Sequence, residues 1–355
     1  MTVSRAGPDD GRAGGDAGDP AVRPRLSVCV PTYRRPVLLA RALSSVLENG
    51  SSDPGRIELL VADNDSATGE AIARPLLEGW PGPTAYLGGE NIGMIGNFNR
   101  CISSSRGEAI LILHDDDRLL PGALDAILGT LDAAPETEPV HVFGTLVVAG
   151  DGRVLRRHLW EAQVHVPPAV AVRRVLTNSS LIRFPSVVVE RSAYEAAGGF
   201  RDNFGGADDL DMWVRLFSRF GVTLQPAPVS AYTIHAGADT ESMFDATTIG
   251  HLLAIFESAR ALALVDDAAL HRSRADYFHQ FILGGTYRRL LAGDRAGARA
   301  VLGMFDLPEL ADLGPSRRWG PVRRVFSVVV ALPSAVWSVL SAVARRFEPR
   351  TRSLL

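Results

Sequence analysis

Residues 110–121 read Ile-Leu-Ile-Leu-His-Asp-Asp-Asp-Arg-Leu-Leu-Pro, an apolar run that ends at three consecutive carboxylates and is closed by a proline. Asp115, Asp116 and Asp117 would repel one another in a medium of low dielectric constant unless a cation lay among them. Oxygen ligands of this kind suit Mg²⁺ or Mn²⁺. A solvated acidic turn is the competing interpretation. The apolar strand before the acids favours a site, because ligands of open α/β sheets bind beyond the carboxyl ends of the strands.

Apolar runs and helical patterns alternate on the amino-terminal side of this stretch. The apolar runs lie at 26–30, 57–62, 85–87 and 109–113, and a helical pattern follows each of the first three. Strands separated by helices of this length predict an α/β fold with a Rossmann-like, mainly parallel sheet flanked by helices. No Gly-x-Gly-x-x-Gly follows the first strand, so the dinucleotide-binding version of this architecture lacks its sequence signature.

The chain divides by composition into four parts. Residues 1–24 are rich in Gly, Asp, Ala and Arg and predict a disordered tail. The core spans 25–240, with further strands expected at 141–148, 186–190 and 222–224. A helical extension follows at 241–313, with helices expected at 249–264 and 268–291, and a basic tail occupies 314–355.

The basic tail contains an uncharged stretch, residues 325–344, that is long enough to cross a bilayer. Serines recur on one helical face of it and Pro333 interrupts its middle, so an interfacial amphipathic helix, a transmembrane span and a helix packed on the domain all stay open. Eight arginines and one glutamate between 317 and 352 give a charge of +7, which would suit an anionic cytoplasmic membrane surface.

Composition excludes several classes of protein. All 37 basic residues are arginine, so a P-loop and a Schiff-base enzyme, which both need lysine, are excluded. A net charge of −3 gives no general attraction for nucleic acid, and we expect no nucleic-acid partner. Cys29 and Cys101 are too few for a disulfide scaffold or a zinc site, so we predict two core thiols and a cytoplasmic location.

Four further segments place polar side chains where a nucleotide diphosphate would need partners, given a cation at the acidic triplet; they lie at 30–35, 61–66, 91–100 and 206–215. In the first, Thr32 and Tyr33 suit ribose and base, and Arg34 or Arg35 suits a phosphate. In the second, Asp63 can accept the imino hydrogen of a pyrimidine, and an Asx-turn is the structural alternative.

The other two segments open helices. Glycines at 93 and 96 permit close approach to the start of one helix, where anions are favoured, whereas Ile95 and Phe98 are expected in the core. The acids at 208–211 open the other helix, where a favourable interaction with the helix dipole is the structural alternative. Asp211 is expected to cap this helix or to pair with Arg215 at i+4.

Together these segments resemble the family 2 glycosyltransferases of the GT-A fold, over roughly residues 25–237. The similar motifs are Pro-Thr-Tyr-Arg-Arg at 31–35, the strand-end turn at 61–66, Asn-x-Gly at 91–93, the acidic motif with its proline at 114–121, Gly-Gly-Phe at 198–200, Asp-Asp-x-Asp-x-Trp at 208–213 and Tyr-x-x-His-x-Gly at 232–237. His114 stands where many members have the first Asp of the metal motif. Asn64 and Asp65 replace the usual Asp-Gly, which leaves Asp63 as the nucleotide contact, and Asp208 replaces the usual Glu.

The resemblance implies a mixed, mainly parallel GT-A sheet with a C-terminal helical extension, and an inverting transfer of a sugar to an acceptor hydroxyl. The donor is a nucleotide-diphosphate sugar of UDP, dTDP or GDP, held by a nucleotide-binding half at 25–121 and facing an acceptor half at 122–240. Asp209 is implied as the general base. The implied ligands of Mg²⁺ or Mn²⁺ are Asp115, Asp116, Asp117 and His235. Donor contacts are implied for Pro31, Thr32, Tyr33, Arg35, Asp63, Asn91, Gly93, Asn97, Asp115 and Asp116.

The acceptor and several rival functions stay open. A saccharide, a lipid-linked acceptor of cell-envelope assembly and a soluble natural product all fit, and the basic tail is compatible with a peripheral site at the inner face of the plasma membrane. A glycoside hydrolase, which also uses two carboxylates, should act without metal or nucleotide. A nucleotidyltransferase and a non-catalytic nucleotide-sugar scaffold are the remaining rivals.

Overall fold

Ten strands form one sheet in the computed structural model, which describes residues 23–234 and 243–332. The strands are β1 (Leu26–Thr32), β2 (Ile57–Asp63), β3 (Thr84–Gly88), β4 (Ala109–Ile112), β5 (Arg118–Leu119), β6 (Val140–Ala149), β7 (Val154–His158), β8 (Val164–Val166), β9 (Val187–Glu190) and β10 (Val222–Ile234). The helices of these residues are α1 (Pro36–Asn49), α2 (Ser66–Glu78), α3 (Gly93–Ser104), α4 (Ala123–Ala133), α5 (Pro168–Thr177), α6 (Arg191–Ala197), α7 (Asp208–Phe220), α8 (Ala246–Ala261), α9 (Asp267–Leu291), α10 (Arg295–Gly303) and α11 (Gly320–Ala331).

The sheet is mixed, with the order β3-β2-β1-β4-β9-β6-β10-β5, and β7 and β8 pair with β6 and β10. Strands β1 to β4 are mutually parallel, as is the long β6–β10 pair, whereas β9 runs antiparallel to both of its neighbours. The α/β class and the mixed, mainly parallel sheet predicted from the sequence are confirmed.

The parallel strands bring their carboxyl ends to one edge. Thr32 is the register partner of Asp63, and Asp63 is the partner of Gly88 on β3. Leu113 donates its N–H to the carbonyl of Cys29, so the acidic triplet emerges beside the end of β1. This alignment explains why polar residues that are far apart in the chain meet at one place.

Helices cover both faces of the sheet and form two hydrophobic cores. One core packs α1, α2 and α4 against β1 and β2. The other packs α3 and α5 to α9 against the opposite face. The strands β1 and β2 are buried throughout, as expected for parallel strands covered on both sides. Cys29 and Cys101 are buried free thiols in the second core, as predicted.

The predicted helical extension packs directly on the core. Helix α9 contacts α5, and buried Phe278 and Ile282 of α9 belong to the same hydrophobic cluster as the core helices. Asp245 and Asp266 cap α8 and α9 by accepting backbone N–H groups in their first turns. The extension is therefore part of the wall that surrounds the site.

Several predictions differ from the structure or lie beyond its described residues. Strand β10 continues to Ile234 instead of ending at 224, because a bulge near Pro228 accommodates the prolines that break the strand pattern. Almost all of the predicted tail at 1–24, residue His235 and the end of the basic tail from 333 onward lie outside the described residues. Within them, no helix combines the length and the hydropathy needed to cross a membrane.

Candidate active site

Asp63 ends β2 and is held rigidly. Its carboxylate accepts a hydrogen bond from the Tyr86 hydroxyl at 2.9 Å and another from the backbone N–H of Asp65 at 2.8 Å. Gly69 of α2 passes so close that a Cβ added there would lie 1.7 Å from the Asp63 Oδ2 atom. Only glycine fits at this position. The structure therefore fixes the orientation of the Asp63 carboxylate. Its predicted contact with the nucleobase of the donor stays a prediction.

The turn after β1 brings two predicted residues to the acidic triplet. The Thr32 hydroxyl donates to Asp115 Oδ2 at 2.7 Å. Arg35 Nη1 lies 3.4 Å from Asp115 Oδ1 and 3.6 Å from Asp116 Oδ2. Tyr33 is 39% exposed, so its ring is open to a ligand. Pro31 is buried within β1, and its predicted donor contact stays a prediction.

The segment at the start of α3 is held by its own side chains. Asn91 accepts the N–H of Gly93, which adopts a φ of +78° that favours glycine. Asn97 is buried and donates to the carbonyl of Ala62, at the end of β2. Asn91 and Asn97 thus shape the edge of the pocket, and their predicted contact with the donor remains untested.

Arg100 is a residue of this region that the sequence reasoning passed over. Its guanidinium donates to Asn97 Oδ1 and to Asn64 Oδ1, at 2.6 and 3.0 Å from Nη2. It therefore ties α3 to the turn after β2. Its place within the Asn-x-Gly helix, three residues after Asn97, was the only available sequence signal.

The three acids of the triplet diverge. Asp115 turns towards Thr32 and Arg35, and burial raises its pKa to about 6. Asp117 accepts the backbone N–H of Thr233 through Oδ1 at 2.8 Å, whereas its Oδ2 is buried with no hydrogen-bond partner among the described residues. Burial raises the pKa of Asp117 well above its usual value. A cation would relieve this burial of negative charge.

A second set of ligand atoms includes His114. One ligand atom from each of His114, Asp116 and Asp117 lies within 4.8 Å of the others. The buried Oδ2 of Asp117, which has no partner in the described part of the chain, fits a divalent cation. Asp115 lies outside this set, so its assignment as a metal ligand stays a prediction. The His114 ring packs 4.4 Å from the ring centroid of Phe184, which fixes its plane.

Asp209 lies in the first turn of α7 and is exposed to solvent. Its Oδ1 accepts the N–H of Leu210 at 2.7 Å. The surrounding protein nevertheless raises its pKa to about 6, and nearby Asp208 adds to this effect. An open carboxylate that is enclosed by protein on its other sides has the features of a general base at the floor of a cleft.

The other acids of this segment have structural roles. Asp208 is buried and accepts the N–H of Phe204 at 2.8 Å, which holds the preceding loop. Asp211 Oδ2 accepts a hydrogen bond from Arg215 Nε at 2.8 Å and lies 2.7 Å from Arg215 Nη2. The predicted i+4 ion pair is therefore present, and of the three acids only Asp209 is exposed to solvent.

Two residues beside Asp209 were not predicted. Arg183 interacts electrostatically with both Asp117 and Asp209, so it lies near the acidic triplet and near the candidate base. Tyr277 of α9 is close enough to Asp209 for their charges to interact, and its hydroxyl lies 3.2 Å from Ser179 Oγ. The sequence holds no motif around either residue. Only the packing of α9 against α5 brings Tyr277 to the site.

Comparison with known proteins decides the family. The family model described as glycosyl transferase family 2 matches residues 27–196. A protein of Mycobacterium tuberculosis with no assigned function is 32% identical over 231 residues, which cover 61% of this chain and 70% of that protein. The chain belongs to glycosyl transferase family 2. It is a glycosyltransferase, as the resemblance of its motifs predicted.

Two further comparisons refine this family assignment. The Campylobacter jejuni GalNAc(5)-diNAcBac-PP-undecaprenol beta-1,3-glucosyltransferase is 31% identical over 133 residues, or 37% of this chain and 41% of that enzyme. The crystal structure of S. aureus TarS 1–349 in complex with UDP-GlcNAc superposes with a TM-score of 0.55 at 13% identity, covering 92% of this chain and 91% of TarS 1–349. At this identity the likeness shows a shared GT-A type fold, which the family 2 sequence motifs led us to expect.

Proposed function

We propose that this family 2 glycosyltransferase moves a sugar from a nucleotide-diphosphate donor to an acceptor hydroxyl with inversion at the anomeric carbon. One observation carries the proposal: Asp209 and Asp117 of the acidic triplet both interact electrostatically with the same guanidinium, that of Arg183. We propose that a general base and a site for a leaving diphosphate therefore lie near each other, on the two sides of Arg183. This is the arrangement that direct displacement requires.

In this reaction Asp209 accepts the proton of the acceptor hydroxyl while the oxygen attacks the anomeric carbon. The bond to the diphosphate oxygen breaks on the opposite face, on the side of the triplet. We propose that Asp63 and Tyr33 hold the nucleobase and ribose of the donor. Arg35 is proposed to bind its diphosphate. Arg35 supports this role because its guanidinium already lies next to two carboxylates that a cation would neutralise.

We propose that Asp116 and Asp117 hold Mg²⁺ or Mn²⁺, with His114, Asp115 and His235 as further candidates. Asp117 Oδ2, buried with no partner among the described residues, supports this assignment. A bound cation would supply positive charge to stabilise the leaving diphosphate. A hydrolase has no need of such a cation beside a phosphate-binding arginine, so this feature favours the transferase over its rival.

The known proteins suggest where to look first for the donor and acceptor. TarS has been crystallised with UDP and with UDP-GlcNAc, which makes UDP-sugars the first donors to test. The Campylobacter relative is named for a lipid-linked acceptor, and we propose an acceptor of the same kind, used in cell-envelope glycan assembly. A soluble natural product is the alternative acceptor.

Helix α11 supports a lipid-linked acceptor. Val325 and Val328 are 58% and 63% exposed on its outer face, and Arg324 is exposed beside them. Apolar side chains flanked by arginines suit the surface of an anionic bilayer. Replacing both valines by serine should reduce cosedimentation with phosphatidylglycerol vesicles, while phosphatidylcholine vesicles should bind weakly in every case. Equal binding to both kinds of vesicle would remove the membrane from the proposal.

Calorimetric titration with UDP, GDP and dTDP, each with Mn²⁺ and then with chelator, tests the central proposal. We expect one nucleotide to bind in a metal-dependent manner, and Asp116→Ala to remove the metal dependence. A metal dependence that survives in Asp116→Ala would exclude the triplet as the metal site. Absence of binding under all conditions would favour a hydrolase or a scaffold.

A further inference from the structure

Three arginines and a histidine gather on the β6–β10 side of the cleft, away from the nucleotide edge at β1 and β2. Arg156 and His158 belong to β7, Arg183 precedes β9, and Arg288 lies on α9. Arg183 interacts electrostatically with Arg156 and Arg288, and His158 interacts with Arg156 and Arg183. We call these four residues the cationic cluster.

The strand register fixes the positions of the cluster. Arg156 and Tyr232 are both register partners of Val147, so they lie in one row across the sheet and on the same face. His158, two residues further along β7, faces the same side. The guanidinium of Arg183 lies 4.7 Å from the ring centroid of Tyr232. Arg183 therefore lies over the face of the sheet that carries Arg156 and His158.

Two members of the cluster retain unused hydrogen-bonding groups. Arg183 Nε and His158 Nδ1 are buried with no hydrogen-bond partner among the described residues, and His158 is only 8% exposed. Burial and the nearby arginines lower the pKa of His158 to about 4, so it is neutral at physiological pH. Buried polar atoms without a hydrogen-bond partner carry an energetic cost that an anionic ligand bound by Arg183 would offset.

We infer that the cationic cluster binds a phosphate group of the acceptor. This inference rests on the proposed function, because it assigns a substrate class to the same site. Guanidinium groups pair with phosphate oxygens through two parallel N–H···O bonds, which a cluster of arginines can supply. Arg288 is exposed, so the cluster is open to a ligand from solvent.

The position of Arg183 favours the acceptor over the donor as the source of this phosphate. Arg183 also interacts with Asp209, so the bound group would lie near the attacking hydroxyl. The nucleotide edge, marked by Thr32 and Asp63, lies on the other half of the sheet. The carboxylates of Asp117 and Asp209 would repel a phosphate. The cation proposed at the triplet would offset the repulsion from Asp117.

Calorimetric titration with glycerol 3-phosphate, in Mg²⁺ and with the nucleoside diphosphate of the donor at saturation, tests the inference. We expect glycerol 3-phosphate to bind and glycerol not to bind. In the double variant Arg156→Gln/Arg288→Gln, we expect its affinity to fall at least about tenfold, as for the loss of two charge-assisted contacts. Arg272→Gln, an exposed arginine elsewhere on α9, is the matched control and should bind as the wild type does.

The remaining outcomes separate this inference from the proposed function. If saturating nucleotide abolishes the binding, the phosphate occupied the donor site and the inference is wrong. It is equally wrong if the double variant and Arg272→Gln bind alike. Because the double variant could be misfolded, the single variant Arg288→Gln and nucleotide affinity are measured in parallel. If no nucleotide binds to the wild type, the proposed function fails, and titration without nucleotide still tests the cluster.

Discussion

The two halves of the cleft differ in how their polar groups are satisfied. On the β1–β4 side, Asp63 accepts hydrogen bonds at both carboxylate oxygens, and Asp115 contacts Thr32 and Arg35. On the β6–β10 side, Asp209 accepts only the N–H of the next residue and Arg183 keeps a buried Nε without a partner among the described residues. Asp63 and Asp115 are thus already held by protein partners, whereas Asp209 and Arg183, like Asp117 of the triplet, retain unused hydrogen-bonding capacity.

This contrast indicates that the two sides of the site serve different steps, donor binding on one side and proton transfer on the other. Groups that are fixed by protein partners can position a donor without moving, which reduces the entropic cost of binding. A base needs the opposite arrangement, because a carboxylate saturated with donors is a weak proton acceptor. We therefore expect changes on the β6–β10 side to affect turnover, and changes on the β1–β4 side to affect donor binding and stability.

The substitution Asp209→Asn should give the largest effect. Loss of a general base lowers turnover by about 100- to 10,000-fold, and the donor should bind nearly as before because Asp209 lies outside the nucleotide edge. Steady-state kinetics and nucleotide calorimetry measure the two effects. Asp202→Asn, which changes an exposed neighbouring acid, is the control. An equal loss of donor affinity and turnover would contradict the division between the halves.

The pH dependence should give the next largest effect. Asp209 must be ionised to accept a proton, and its pKa is raised to about 6. The value of kcat/KM should therefore fall about fivefold between pH 6 and pH 5 and level off above pH 7. Because a raised carboxyl pKa means tighter proton binding by the folded state, this group also favours folding less as pH rises from about 4 to 6.

Burial raises the pKa of Asp115 to about 6 as well, so the pH profile alone does not distinguish Asp115 from Asp209. Measuring the profile at two metal concentrations distinguishes them. An acidic limb that belongs to Asp209 should keep its midpoint when the metal concentration is raised tenfold. A midpoint that moves with metal would assign the limb to the triplet instead.

The pair Gly69→Ala and Gly129→Ala should give the smallest effects and tests the rigidity of the β1–β4 side. A Cβ at residue 69 would collide with Asp63, which should cost about 1–3 kcal/mol of stability and weaken nucleotide binding. A Cβ at residue 129 of α4 meets nothing within 4 Å, so alanine there should stabilise by about 0.5–1 kcal/mol. Urea unfolding measures both. Equal stability of the two variants would show that the carboxylate is free to move.

The sequence predicted the positions of the residues on the β1–β4 side, because a local strand pattern sets each of them, whereas their roles stay predictions. Each site residue there follows an apolar run, and the carboxyl ends of parallel strands must meet at one edge. Thr32, Asp63 and Asp115 accordingly lie where the strand pattern placed them. The ion pair of Asp211 with Arg215 was also predictable, since both residues lie on one helix face.

The β6–β10 side was less predictable, because its neighbours are distant in the chain. Ser179 and Tyr277, which meet beside Asp209, are 98 residues apart, and no periodic pattern encodes that contact. Strand β10 was predicted too short because Pro226 and Pro228 interrupt its pattern, although a bulge retains them. Arg183 lies in an irregular segment with no motif.

The packing of α9 against α5 has a consequence for engineering. A chimera that joins the core of one relative to the extension of another at residue 240 would take Asp209 and Tyr277 from different proteins. The same would hold for Asn178 and Gln280, whose side chains form a hydrogen bond of 3.0 Å. We expect the transferable unit to be the α5–β9 connection together with α9, which are in contact. Acceptor preference should therefore pass between relatives with this pair of segments, even though they are separated in the gene.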